Sequence, residues 1–237
     1  MVSNNTVPTV NRVAATDPWS GLRAFTDARI ALGRAGVAIP IGETLSFRLS
    51  HARARDAVHA KFDAAGMAAK IGALGLDTVL VESAAASRAE YLTRPDLGRR
   101  LSKRSEALLE EIDAQGSCDL AIVVGDGLSS RAIHENAVPF LSVFVPLCRK
   151  AGLKIGPVCI ANQSRVALGD AVGQRLHAKV VAILIGERPG LSSPDSMGAA
   201  TQRVFPFPYE FITMPGSAPG VGAGGSLIIW LKRLPIT

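Results

Sequence analysis

Short apolar runs alternate with amphipathic segments through most of the chain. The runs at 76–82, 120–124, 153–160 and 179–185 have the length of buried strands, and helical spacing lies between the last three. The segment after Ser164, its predicted N-cap, has an apolar residue at every fourth position. Strands and helices alternating at this spacing predict parallel βαβ units wound right-handedly. The expected fold class is therefore α/β, a parallel sheet with flanking helices.

The same pattern divides the chain into four regions. Residues 1–16 are polar and aperiodic, so we expect a flexible tail there. Residues 17–71 carry helical patterns, the longest at 43–62, and predict a helical N-terminal region ahead of the sheet. The sheet domain is expected at 72–200, and residues 201–237 form an atypical tail rich in Gly and Pro.

Two helices of the predicted sheet domain have uncertain ends in the pattern. One is expected to begin at Thr93 and to continue toward Gly116. The other is expected to reach about Lys150, with interruptions near Pro139 and Pro146.

Polar loops rich in Gly and Ser follow three of the predicted strands, at 125–130, 161–166 and 186–193. Because the strands of a parallel sheet all point one way, these three loops gather at one edge. Two of them lead into helix N-termini, where free N–H groups favour polar or phosphate-bearing ligands. The sequence therefore predicts a ligand crevice at this edge.

One candidate for the crevice is a dinucleotide site. Gly125 and Gly127 supply only the first two glycines of the pattern GxGxxG, and Asp126 would lie beside any pyrophosphate. The alternative is structural, with both glycines allowing a tight strand-to-helix turn that Ser129 or Ser130 caps. The sequence leaves both interpretations open.

The loop after the last predicted strand carries a more specific signal, the segment Gly186–Leu191. Glu187 follows a buried strand directly, where its carboxylate could accept hydrogen bonds from a ligand rich in amide donors. Arg188 could equally pair with Glu187 or with Asp195, which would make the segment structural. These two interpretations also stay open.

Composition narrows the possible functions. The net charge of +6 is spread over predicted helices, around 48–55 and 94–104, without interleaved aromatic residues, so no nucleic-acid partner is expected. We interpret the charges as solvated helix faces, with docking onto an acidic subunit as the alternative. No apolar run has the length of a membrane span, and the N-terminus lacks the pattern of a secretory signal. The three cysteines are expected to be buried thiols of a reducing cytosol.

The familiar catalytic sets are missing from the sequence. The four histidines form neither HxH nor HExxH, none pairs with a cysteine at ligand spacing, and no GxSxG is present. We therefore expect no catalytic residue and no metal ligand in this chain. If the protein serves catalysis, a bound cofactor or another chain carries the reaction.

Four motifs together resemble a known family. The segments Tyr91–Arg100, Asp126–Ser129, Arg165–Val166 and Gly186–Leu191 are similar, in order and spacing, to the small (light) subunit of ethanolamine ammonia-lyase. The resemblance runs from about residue 17 to about residue 200. Several separate motifs in sequence are more specific than any one of them.

The resemblance implies an enzyme of large and small subunits that uses adenosylcobalamin to convert ethanolamine to acetaldehyde and ammonia. In that family the barrel-shaped large subunit carries the substrate and the radical chemistry, and the small subunit, whose parallel sheet with flanking helices is Rossmann-like, closes over the cofactor. It further implies a cytoplasmic protein, and packaging in a bacterial microcompartment stays open.

By the same resemblance, the cobalamin contacts fall on Val166 and Glu187, with Asp126 as an addition from the remaining loop, 125–130. The residues agree with this assignment, because Val166 is expected in the first turn of a helix with free N–H groups. No histidine follows an Asp at the spacing DxHxxG, so the cofactor is expected to keep its own benzimidazole as lower ligand.

The chain departs from the family after about residue 200. Family members continue through a segment with a further cofactor contact, a cysteine, whereas residues 201–237 contain none. This suggests an altered reading frame or a truncated gene, and hence a defective subunit as one alternative. A stand-alone nucleotide-binding oxidoreductase and a pure assembly module are the others.

Overall fold

The computed structural model describes residues 17–113, 116–204 and 227–231. They form a mixed α/β structure, and the chain divides into two compact units, Met1–Arg53 and Ala54–Thr237. The elements in chain order are a 3₁₀ helix Pro18–Ala24, α1 Ile41–His59, α2 Ala64–Gly72, β1 Thr78–Glu82, α3 Arg88–Thr93, a 3₁₀ turn Leu97–Arg99, α4 Lys103–Asp113, β2 Leu120–Gly125, α5 Ser130–Lys150, β3 Ile155–Asn162, α6 Leu168–Arg175, β4 Val180–Gly186, β5 Met197–Arg203 and β6 Leu227–Leu231.

The sheet has six strands in the order β1-β3-β2-β4-β5-β6. The four strands predicted from the sequence are β1 to β4, and they pair in parallel. Strand β5 pairs antiparallel with β4, and β6 pairs antiparallel with β5, so the predicted parallel pairing holds for β1 to β4 and not for the pairs that β5 makes. The reason is the connection: residues 187–196 contain no helix, and a parallel return needs a longer crossover.

Helices cover both faces of the parallel strands. On β2 every residue is buried, and its side chains alternate between the two faces. Leu120, Ile122 and Val124 pack in one apolar cluster with α2 and α5. Ala121 and Val123 pack in a second cluster with α4 and α6. The helices that follow β2 and β3 therefore lie on opposite faces of the sheet.

Two predicted helix boundaries are wrong. The chain does not start a helix at Thr93; α3 ends there, because Ser87 is the N-cap and Arg94, which precedes a proline, leaves the helical conformation. Helix α5 runs without interruption through Pro139 and Pro146. Its apolar face stays packed on the sheet across both prolines, through Ile133, Ala137, Leu141, Val145 and Cys148.

The helical N-terminal region is present in shorter form. Asp17 caps the 3₁₀ helix by accepting a hydrogen bond from the N–H of Trp19 at 2.9 Å. Helix α1 takes the place of the helix predicted at 43–62. In the described residues, no helix combines the length and the apolar character that a membrane crossing requires.

The predicted regional boundaries at residues 16, 71 and 200 stay predictions. The proposed N-terminal tail, 1–16, lies outside the described residues, as do 205–226 and 232–237 of the proposed C-terminal tail. In the described part of that tail, β5 continues to Arg203 and β6 pairs with it. All three cysteines are buried free thiols, which confirms the prediction of buried thiols; the reducing cytosol stays a prediction.

Candidate functional site

The three polar loops lie at one edge of the sheet, as the pattern predicted. Gly125, at the end of β2, pairs with Ala161 of β3 on one side and with Ile185 of β4 on the other. The loops that carry Val166 and Glu187 therefore follow strands two spacings apart, about 10 Å. Helices α5 and α6 leave this edge on opposite faces, which is where open α/β sheets form ligand crevices.

Asp126 joins the first of these loops to the second. The residue is 2% exposed, and its two carboxylate oxygens accept hydrogen bonds from the N–H of Ser164 and from the guanidinium of Arg88, both at 3.0 Å. Burial raises the pKa of Asp126 to about 6, and the Ser164 N–H and the Arg88 charge offset part of that rise. Both oxygens are thus engaged by the protein itself.

Arg88, in the first turn of α3, fixes this arrangement from the side. Its guanidinium donates to the carbonyl of Gly127 at 2.8 Å as well as to Asp126. Two further hydrogen bonds go to the carbonyl of Val58, at 3.1 and 2.8 Å. A single side chain therefore ties α1, α3 and the loop after β2 together.

Tyr91 supports the loop after β3. The side chain is fully buried, and its hydroxyl donates to the carbonyl of Ser164 at 2.9 Å. Burial raises the pKa of this phenol, so that it stays a donor at any physiological pH. The guanidinium carbons of Arg165 and Arg88 lie 4.4 and 4.8 Å from the ring centre, a cation–π arrangement.

Val166 lies in the turn before α6 rather than in the first turn of that helix. The helix begins at Leu168 with Ala167 as N-cap, and the hydroxyl of Ser164 donates to the carbonyl of Ala161, so the prediction that Ser164 caps the helix is wrong. The Val166 residue is 43% exposed. In the part of the chain that the structure describes, the N–H groups of Val166 and Ala167 donate no hydrogen bond. These two groups are therefore the candidates for a main-chain contact with a ligand.

Glu187 lies half-buried at the start of the loop after β4. Its N–H donates to the carbonyl of Ser196 at 2.9 Å, and its carboxylate packs against Gly198, where a Cβ atom would collide with it. Burial raises the pKa of the carboxyl. Across the described ranges, Arg188 forms no ion pair with Glu187 or with Asp195. The interpretation of this segment as a structural ion pair is therefore not supported.

The two glycines of the loop after β2 have structural roles. Gly127 has φ +54°, and a Cβ atom there would collide with the carbonyl oxygen of Gly186. At Gly125 a Cβ atom would collide with the hydroxyl of Ser164. Ser129 caps α5 by accepting from the N–H of Ala132 at 3.2 Å. The turn-and-cap interpretation is confirmed, and protein atoms fill the space next to both glycines.

Sequence reasoning missed how Arg88, Tyr91 and Ser164 cooperate. Tyr91 belongs to one of the recognised motifs, but its hydroxyl meets a residue 73 positions away. No sequence motif distinguishes Arg88 from a surface arginine at the start of a helix. Only the fold brings these residues to Asp126.

Comparison with known proteins identifies the family. The sequence model of the ethanolamine ammonia-lyase light chain matches residues 16–202. The chain belongs to this family. The predicted resemblance, its extent and the assignment as an ammonia-lyase subunit are thereby confirmed.

Ethanolamine ammonia-lyase small subunits of several bacteria are close in sequence. That of Pseudomonas fluorescens (strain SBW25) is 51% identical over 193 residues, which are 81% of this chain and 70% of the relative. Those of Pseudomonas syringae pv. tomato and Ralstonia nicotianae are both 50% identical, over 79% and 77% of this chain and 66% and 68% of their own length. The chain thus spans about two thirds of these small subunits.

The candidate site lies wholly inside the matched region. Val166, Glu187 and Asp126 all precede residue 202, where the light-chain match ends. The family match does not extend to the segment after residue 202.

Proposed function

We propose that the chain is the small subunit of an adenosylcobalamin-dependent ethanolamine ammonia-lyase, and that it holds the cofactor against a large catalytic subunit. The observation that carries this proposal concerns the loops after β3 and β4, the strands that flank β2. Among the described residues, the half-buried carboxylate of Glu187 and the N–H groups of Val166 and Ala167 have no hydrogen-bond partner. We also propose that the domain is Rossmann-like, which the parallel strands with helices on both faces support.

The chemistry of these groups suits a corrinoid. Corrin side chains end in amides, which donate N–H groups to a carboxylate and offer carbonyl oxygens to backbone N–H groups. A half-buried carboxylate without a protein partner gains most from such a donor, because burial has already removed part of its water. When bound, adenosylcobalamin supplies the organic radical that begins the conversion of ethanolamine. This chain's residues bind and orient the cofactor and exclude water from it.

Asp126 fits a different role in this proposal. Its carboxylate already accepts hydrogen bonds from Arg88 and from Ser164, so in this proposal it supports the loops that form the crevice. A direct contact between Asp126 and the cofactor stays a prediction.

The first test is co-expression with the cognate large subunit. We expect the two chains to co-purify, to bind cobalamin, and to release ammonia from ethanolamine only when adenosylcobalamin is present. Glu187→Ala should raise the concentration of adenosylcobalamin that gives half-maximal activity about tenfold, as expected for one lost charged hydrogen bond. Glu111→Ala, which removes an exposed carboxylate from α4, is the matched control and should change nothing.

Each alternative has its own outcome. A complex in which Glu187→Ala leaves the cobalamin affinity unchanged would indicate a pure assembly module. NAD binding by the chain without any partner would support an oxidoreductase, against which the filled space at Gly125 and Gly127 argues. Failure to co-purify would indicate a defective subunit. A cytoplasmic location and packaging in a microcompartment stay predictions.

A further inference from the structure

The segment 85–98, which we call the brace, has no part in the function proposed above. It contains α3 and most of the motif that begins at Tyr91. It nevertheless contacts the turn 163–165 at several points, and that turn leads directly into Val166. The question is what such a heavily supported turn does.

The contacts between the brace and the turn are hydrogen bonds. The side-chain amide of Gln163, with its nitrogen toward the brace, donates to the carbonyls of Ala85 and Ser87 at 2.7 and 3.2 Å. The N–H of Arg165 donates to the carbonyl of Gly98 at 2.8 Å. The guanidinium of Arg165 also donates to the main-chain carbonyl of Tyr91 at 3.3 Å.

The peptide groups of Ser164 are held from two directions. Tyr91 donates its hydroxyl to the carbonyl oxygen, and Asp126 accepts from the N–H on the other side. Ser164 is fully buried, so neither bond can be replaced by bulk water. A Cβ atom at Gly98 would lie 2.9 Å from the Arg165 side chain and from the Tyr91 ring, which shows how closely the brace packs.

The turn itself is held in an unfavourable conformation. Gln163 has φ +56°, in the left-handed region that costs a residue with a Cβ atom free energy. Such conformations persist where the surroundings determine them, and they are common at ligand clamps. Here the surroundings are the brace and Asp126. They fix the path of the chain up to Arg165, and the next two N–H groups are the free ones.

We propose that Tyr91 and Asp126 are positioning residues for the cofactor-binding turn. Tyr91 from the brace and Asp126 from the loop after β2 hold Ser164 between them, and thereby aim the N–H groups of Val166 and Ala167 into the crevice. The proposal rests on the function proposed above. It assigns a role to the Tyr91 motif and places Asp126 behind the cofactor.

The experiment uses the complex with the large subunit, with Tyr91→Phe and Asp126→Asn as variants of nearly unchanged shape. Tyr91→Phe leaves the Ser164 carbonyl without a donor, and we expect the dissociation constant for cyanocobalamin, by equilibrium dialysis, to rise about tenfold. Asp126→Asn keeps an oxygen that can accept from the Ser164 N–H, so it should raise this dissociation constant only about threefold. Asp126→Ala removes the acceptor and should raise the dissociation constant at least tenfold.

The maximal rate separates positioning from catalysis. For Tyr91→Phe we expect the half-saturating concentration of adenosylcobalamin to rise about tenfold, with the maximal rate within threefold of wild type. The matched control is Asp119→Asn, just before β2 at the other edge of the sheet. Its carboxylate also accepts a backbone N–H, that of Lys154 at 2.8 Å, and pairs with Lys179, so its loss should leave the cobalamin affinity unchanged.

A second measurement needs no cofactor. In the chain alone, hydrogen exchange of a peptide covering 163–168 should be faster in Tyr91→Phe than in wild type, while exchange in β2 stays the same. Unchanged exchange, or cyanocobalamin binding within twofold of wild type, would overturn the positioning role. An equal loss in Asp119→Asn would also overturn it. A wild-type complex that binds no cobalamin would instead refute the proposed function, and the exchange measurement would still decide the role of Tyr91.

Discussion

At the level of single residues, the buried carboxyl of Asp126 is expected to make the stability of the chain depend on pH. Burial and the Arg88 charge act in opposite directions on this carboxyl, and burial has the larger effect. The native state therefore binds the Asp126 proton more tightly than the unfolded chain does, with a pKa of about 6 against 3.8. An ion pair that forms in the fold does not by itself make the charged state the preferred one.

A pH prediction follows from this balance. Well below pH 3.8 the carboxyl is protonated in both states, and as the pH rises from there to about 6 the unfolded chain loses this proton first. The free energy of unfolding of the wild type, relative to Asp126→Asn, should fall across this window by on the order of 2 to 3 kcal/mol, and then stay constant. Urea unfolding of both proteins between pH 4 and pH 7 measures it. A difference that grows with pH would show that the Arg88 charge has the larger effect.

The glycine at position 127 permits a second prediction for a single residue. Gly127→Ala combines an unfavourable φ with a collision at Gly186, and we expect it to destabilise the chain by about 3 kcal/mol. Gly152→Ala is the control, since Gly152 has φ +75° but no atom near the added Cβ. It should cost about 1 to 2 kcal/mol. Thermal unfolding of both variants measures the two losses of stability. Equal losses would mean that the contact with Gly186 is unimportant.

Among the elements, the four parallel strands were predictable and the last two were not. The parallel strands are continuous apolar runs bounded by polar loops, a pattern that burial on both faces requires. Strand β5, Met197–Arg203, has small and polar residues. No helix lies between β4 and β5, so no βαβ pattern predicts the direction of β5. The uninterrupted α5 could not be predicted either, because packing against the sheet offsets the local effect of its two prolines.

The loop that carries Glu187 is attached to α5, and this attachment is testable. Asn136 donates its side-chain amide to the carbonyl of Asp195 at 3.0 Å, and Ser129 donates its hydroxyl to that of Pro194 at 2.9 Å. Asn136→Ala should lower the free energy of unfolding by only about 1 kcal/mol. It should make limited proteolysis within 187–196 several times faster, since the loop loses one of its attachments.

The same helix offers a control for that experiment. Ser142 also donates a side-chain hydrogen bond to a carbonyl, that of Pro139, within α5 itself. Ser142→Ala should leave the proteolysis of the loop unchanged. Equal cleavage rates in wild type and Asn136→Ala would show that the Asp195 contact does not hold the loop.

For the whole molecule, the sequence predicted the edge at which the site lies but not its inner structure. Strand direction alone placed Val166, Glu187 and Asp126 at one edge, and the register of β2 agrees. The burial of Asp126 and its contacts to Arg88 and Ser164 depend on residues far apart in the chain, which no local pattern reveals. The light-chain match ends at residue 202, so the contribution of the following residues to cofactor binding has to be tested by experiment.

A chimera tests the contribution of that region. We expect that replacing residues 203–237 with the C-terminal segment of the Pseudomonas fluorescens (strain SBW25) small subunit will tighten cyanocobalamin binding in the complex at least tenfold. The reason is the family resemblance, which implies a further cofactor contact from a cysteine in that segment. A chimera whose added cysteine is changed to Ala is the control. Equal affinities of chimera and natural chain would contradict the prediction.

The free N–H groups at Val166 and Ala167 have a consequence for how the family evolves. In the proposed function the main chain makes this contact, so the side chain at position 166 can drift among many amino acids while the bond persists. Proline is the exception, because it has no N–H to offer. A contact of this kind depends on the path of the backbone rather than on the amino acid at one position. Distant relatives can therefore keep it when their sequences are no longer similar.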